Sequence, residues 1–131
     1  MSTIEEFIEA RIDIEEATAR GTVQASLSWQ NFTMDGELRD SDNAGTIMMC
    51  VADEDRQHIA HHDPARVLRQ CTALRAILRV HRPDGDRECV GCTRNDRAGE
   101  PSFVPIGECV ELRTLAAIWP DHPDFQAEWV A

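Results

Sequence analysis

Residues 83–108 hold seven Gly or Pro and show neither helical nor strand periodicity. A loop of that length inside a small domain needs something to order it. Its own residues offer a means. The pattern His81-x7-Cys89-x2-Cys92-x16-Cys109 runs through it and ends where a last helix should begin. A Cys-x2-Cys turn presents two thiolates from one tight loop, which is half of many tetrahedral zinc sites. Gly91 gives that turn backbone freedom. Cys109 supplies a third thiolate, and His81, at the end of a long helix, is the best-placed fourth ligand. His122 is its rival.

Such a site would tie two helices to an otherwise unsupported loop, so metal binding would stabilise the fold. Four protein ligands leave no open position, which makes the expected zinc structural rather than catalytic. A redox Cys-x2-Cys would follow a strand and open a helix, whereas these flanks are loop. Merely buried cysteines fit poorly beside Arg87, Glu88, Thr93 and Arg94.

The rest of the chain reads as one α+β domain spanning 1–131, mainly helical, with a small antiparallel β-hairpin and a zinc-knuckle-like loop. Ser2 or Thr3 can cap a helix over 3–19, with Glu5 or Glu6 completing a capping box. Ile4, Phe7, Ile8 and Ile12 recur at helical spacing, and Glu5, Glu9, Asp13 and Glu16 share the outer side. Residues 22–51 form the hairpin region. Val23, Ala25, Leu27 and Trp29 alternate as in a half-buried strand that ends or bulges near Gln30, 34–45 is rich in turn residues, and 46–51 is a short apolar run. Trp29 and Cys50 read as core.

Residues 53–81 are helical again. Asp63-Pro64 divides them, because the residue before proline is pushed out of the helical region and Asp63 is a good N-cap. Helices over 53–61 and 64–81 follow. In the second, Val67, Leu68, Cys71, Leu74, Ile77 and Leu78 form an apolar stripe. A final helix starts near Cys109 or Val110 and ends at Pro120. Phe125 and Trp129 in the tail dock back onto the body.

The net charge of −11 is uneven: residues 1–62 carry thirteen Asp/Glu against four Arg, and 63–131 carry eleven against nine. An acidic chain repels phosphate, so non-specific nucleic-acid binding is not expected. The acidity suits a solvated surface, or a decoy surface for a nucleic-acid-binding protein. No apolar run reaches the length of a membrane span. The acidic start lacks the pattern of a signal peptide, so a cytoplasmic location is expected. All thirteen basic residues are Arg and Tyr is absent, as a GC-rich coding bias produces.

Two further groups could carry chemistry. His58 and His62 are four residues apart beside Asp63, and with His122 they could form a metal-dependent hydrolase site. The simpler expectation is that His58 packs, Asp63 caps and His61 faces solvent, since no third ligand completes the pattern. The arginines of the long helix could bind phosphate as part of a nucleic-acid regulator, or pair with the acidic first helix.

HIAHHDPARVLRQCTALRAILRVH, Cys89-x2-Cys92, the Cys109-to-Ala116 segment, 120–125 with Trp129, and the start TIEEFIEARI together resemble a small actinobacterial and actinophage family, the domain of unknown function numbered 6221. The resemblance covers most of the chain and is least secure over 22–51. It implies no activity and a phage or actinobacterial source. The chain departs from the pattern at His61, where arginine is usual, and at Phe125, where tyrosine is usual. Since some members lack the cysteines, the resemblance implies that metal is a stabilising option rather than a shared catalytic centre. These readings lead to a non-enzymatic, zinc-stabilised interaction protein with a protein partner.

Overall fold

The computed structural model describes residues 2–22, 26–32, 36–42, 45–49 and 52–130. The chain divides into two compact units, residues 1–12 with 73–131, and residues 13–72. The architecture is α+β and mainly helical. The helices among the described residues are α1 (Ile4–Arg20), α2 (Asp53–His61), α3 (Pro64–Val80) and α4 (Val110–Ala116). Strands β1 (Trp29–Phe32), β2 (Glu37–Asp40) and β3 (Thr46–Met49) form one antiparallel sheet in that order. Two-residue strands β4 (Arg94–Asn95) and β5 (Pro101–Ser102) pair separately.

α1 begins with a reciprocal capping box. The Glu6 amide donates to Thr3 Oγ1 at 3.4 Å, and the Thr3 amide donates to Glu6 Oε2 at 2.9 Å. Two orphan amides are thereby satisfied. Ile4, Phe7, Ile8 and Ile12 are buried on one face, as their spacing requires. Thr3→Ala should cost about 1 kcal/mol of stability, read from chemical denaturation; an unchanged midpoint would show that the box contributes nothing.

In the first unit Phe7 anchors an aromatic cluster. Its ring centroid lies 5.1 Å from Trp129, 5.6 Å from His122, 6.1 Å from Phe125 and 6.5 Å from Trp119. The Arg11 guanidinium carbon sits 5.7 Å from the Phe7 centroid. The tail therefore docks through Phe125 and Trp129, which are 5.8 Å apart edge to face. α4 buries Leu112 and Ala116, while Val110 and Ile118 are exposed. The helix ends at Ala116, short of Pro120.

The second unit departs from expectation in its strands. β1 starts only at Trp29 and continues through Phe32, and the turn-rich stretch contains β2. Val23, Ala25 and Cys50 lie outside the described residues. β2 is a strand because Leu38 and Asp40, two residues apart, both point inward and are buried. The polar Asp40 is accommodated as an acceptor: Ser26 donates its amide to Oδ2 at 2.7 Å, and Asp42 donates to Oδ1 at 2.9 Å. Gly36, at φ 66°, supplies the left-handed residue just before it. Trp29 is half-buried rather than core, and Met48 and Met49 are exposed.

Asp63 joins this sheet to α3. Its Oδ1 accepts the Arg66 amide at 2.8 Å as an N-cap, and its Oδ2 accepts the Trp29 amide at 3.2 Å. One carboxylate thus fixes a helix start and a strand start. Arg56 is buried on α2 and donates to Asn31 of β1 at 2.9 Å. Asp63→Ala should cost about 1–2 kcal/mol, at the upper end of a cap loss because a half-buried amide is also orphaned. A loss no larger than that of a surface substitution would contradict this role.

Candidate metal centre

The site is built from the end of α3 and two short turns, all of them within the first unit. α3 ends at Val80, and the His81 amide still donates to the Ile77 carbonyl at 2.9 Å. His81 is thereby held at the helix exit. Residues Val90–Cys92 make a single 3-10 turn with Cys89 before it, and Ile106–Glu108 make a second with Cys109 after it. Cys109 is also the N-cap of α4.

The intervening loop has more backbone order than its composition suggests. Cys89 donates its amide to Val104 at 2.7 Å, Val90 to Arg82 at 3.0 Å and Ile106 to Arg87 at 2.9 Å. Arg87 adopts the left-handed conformation at φ 65°, where glycine would be expected. Its side chain donates to Glu5 Oε1 of α1 at 2.6 Å, tying the loop to the first helix.

Burial raises the pKa of the Glu5 carboxyl, but the hydrogen bond from Arg87 and its own backbone bond outweigh this and set it below 4.5. A carboxylate depressed on folding stabilises the fold above its ordinary pKa and loses that contribution as pH falls through its folded value. Arg87 is half exposed, so the pair contributes under about 1 kcal/mol. Glu5→Gln should therefore lower stability at neutral pH, with the gap to wild type closing below pH 4.5. A gap that persisted into acid would show that the loss was one of packing.

Four ligand atoms converge. His81 Nδ1 lies 3.3 Å from Cys89 Sγ and 3.5 Å from both Cys92 Sγ and Cys109 Sγ. Cys109 Sγ lies 3.6 Å from Cys89 Sγ and 3.6 Å from Cys92 Sγ. All four atoms fall within 4.8 Å of one another. A tetrahedral ion with Zn–S of about 2.3 Å and Zn–N of about 2.0–2.1 Å has edges of about 3.8 Å between sulfurs and about 3.6 Å from sulfur to nitrogen. The observed edges match those dimensions to within a few tenths of an ångström. They are far too long for disulfides, which need about 2.05 Å, and the four cysteines among the described residues are free. The group of one histidine and three cysteines can hold a metal ion.

Cys89 and Cys109 are fully buried, and Cys92 is half-buried. Burial and the two neighbouring cysteines raise the Cys92 pKa strongly. Burial pushes the Cys109 thiol up to about 11, with Cys89 adding to the rise. The Cys92 and Cys109 thiols therefore resist ionisation by themselves, and a dication beside them would reverse that balance.

Gly91 matters for a reason other than backbone freedom. A Cβ there would lie 2.8 Å from the Val80 carbonyl oxygen, 2.9 Å from Val80 Cγ1 and 2.9 Å from His81 Nδ1. Only a glycine lets the knuckle approach His81 Nδ1 this closely. Gly91→Ala should displace His81 and weaken metal binding by at least about tenfold, measured by competition with a chelator. Unchanged affinity would mean that the ring has room to move.

The other candidate residues are placed elsewhere. His122 lies in the aromatic cluster, with Nε2 bonded to Arg11 and Nδ1 3.1 Å from the Asp124 amide. The rings of His58 and His62 are 4.4 Å apart, and His62 Nδ1 meets the His58 carbonyl at 2.9 Å. The Asp63 carboxylate is engaged with backbone amides. Among the described residues, the His81 cluster is the one group of three or more metal-ligating side chains within reach of one ion. Of the arginines on α3, Arg75 and Arg79 line a groove of about 380 Å³ together with Glu5 and Glu9. Sequence reasoning missed Glu111, whose Oε2 is 3.5 Å from Cys92 Sγ and 3.4 Å from Cys109 Sγ. The only available signal was a carboxylate two residues beyond the last cysteine.

The family model described as "Family of unknown function (DUF6221)" matches residues 1–131. The chain belongs to this family. No curated protein and no solved structure matches it. In this DUF6221 chain the resemblance noted in the sequence therefore extends over every residue, including 22–51. No helix among the described residues is long and apolar enough to cross a membrane.

Proposed function

We propose that this protein is a non-enzymatic, zinc-stabilised interaction protein, acting on a protein partner in a phage or prophage setting. The observation that carries the reading is the convergence of His81, Cys89, Cys92 and Cys109 at tetrahedral spacing. Their four donors fill the shell of a structural zinc and leave no position for substrate. His81 serves as the fourth ligand, and soft thiolates with one imidazole select zinc over hard cations. The acidic side chains of α1 and α2 support the second half of the reading. Glu6, Glu9, Asp13, Glu54 and Asp55 are exposed, and their charge suits a basic partner.

Cobalt(II) substitution tests the metal half. A tetrahedral site of three thiolates and one imidazole gives intense visible d–d bands and a thiolate charge-transfer band, both lost in Cys92→Ser. The pale spectrum of a six-coordinate ion would refute it. For the partner half, immobilised protein should retain a specific protein from an actinobacterial lysate. Charge reversal of Glu9 and Asp13 should release it, and no recovery above background would count against the reading.

A further inference from the structure

The cage has a closed side and an open side. Cys89 and Cys109 are 0% exposed, whereas His81 and Cys92 are half-buried and Glu111 is exposed. Glu111, in the first turn of α4, spans the edge between Cys92 and Cys109, with one carboxylate oxygen 3.5 Å and 3.4 Å from their sulfurs. It stands just outside the four-ligand group.

Glu111 is poorly suited to be a resident ligand. The shell is already full, and a carboxylate oxygen is harder than the sulfurs around it. A hard anionic oxygen at the mouth of a soft cage is, however, well suited to a hydrated ion. It can replace one water before any sulfur is reached.

The geometry points to Glu111 as an exchange ligand: it receives the incoming metal ion at the Cys92–Cys109 edge and passes it inward, and takes it up again on release. This inference rests on the cage being a zinc site. On entry, an oxygen–metal bond forms as a water leaves. Three sulfur–metal bonds and one bond to His81 Nδ1 then replace it and the remaining waters, and each thiol gives its proton to solvent. No electrons are transferred. An exchange ligand of this kind accelerates entry and exit by the same factor and leaves the equilibrium affinity unchanged.

The test uses stopped-flow kinetics on the full chain. Cobalt(II) uptake is followed by its charge-transfer band, and zinc release by transfer to a chromophoric chelator. Glu111→Gln should slow both by about tenfold, equivalent to about 1.4 kcal/mol in each barrier. Glu111→Asp should retain most of both rates, and the equilibrium affinity of both variants should stay within about twofold of wild type. Unchanged rates would overturn the inference. So would tighter binding in Glu111→Gln with unaltered uptake, the mark of a carboxylate that only repels the loaded site. Absence of metal uptake by the wild type would instead remove the zinc reading beneath it, and the two failures are therefore distinguishable.

Discussion

Cys109→Ser and Cys89→Ser should each abolish high-affinity metal binding and leave residues 81–109 without their main cross-link. Both cysteines are fully buried, and Cys109 Sγ lies 3.6 Å from each of the other two sulfurs. A serine hydroxyl is a poorer donor for a borderline-soft ion, and it leaves two sulfurs and one nitrogen around it. A ligand that binds only the folded state at about a thousand times its dissociation constant adds about 4 kcal/mol. The variants should therefore lose on the order of 4 kcal/mol relative to metal-loaded wild type. The loss should vanish when variant and wild type are compared after exhaustive chelation. Hydrogen exchange should place the weakened amides at Cys89, Val90 and Ile106, whose backbone bonds hold the loop together. A variant with wild-type metal affinity would remove that cysteine from the site.

The second large effect is expected in the aromatic cluster. Phe7 is 2% exposed and contacts Trp119, His122, Phe125 and Trp129. Phe7→Ala would leave a cavity ringed by rigid aromatics that cannot easily collapse, so the cost should be about 3–5 kcal/mol. The Trp119 and Trp129 fluorescence should shift to the red in the same variant. Phe7→Leu, which keeps most of the volume, should cost appreciably less, on the order of 1–2 kcal/mol. A Phe7→Ala loss under about 1 kcal/mol would show that the tail is not held through this ring.

Much of this was legible in the sequence, and what was not has physical causes. The helices declared themselves through period and caps. Thr3 with Glu6 opened α1, and Asp63 before Pro64 divided α2 from α3. β2 was hidden because its four residues are flanked in the sequence by turn residues on both sides. Asp40 is buried only because Ser26 and Asp42 supply amides to it, a satisfaction that no local pattern announces.

In the candidate site the cysteines were legible through spacing, and His81 was preferred to His122 only by its proximity to them in the chain. The structure brings His81 to the thiols because α3 delivers it there, and holds His122 against Phe7 and Arg11. Gly91 was singled out for backbone freedom, yet its contribution is the absence of a Cβ beside Val80 and His81. Besides Gly99, the loop has a left-handed residue at Arg87, which sequence rules would not choose.

The central claim is that His81, Cys89, Cys92 and Cys109 hold a structural zinc ion. The most direct test is elemental analysis of protein purified without added metal, coupled to thermal unfolding before and after chelation. The account predicts about one zinc per chain, removed by a strong chelator together with a large fall in melting temperature, and both restored by zinc. Full stability in the metal-free protein would contradict it.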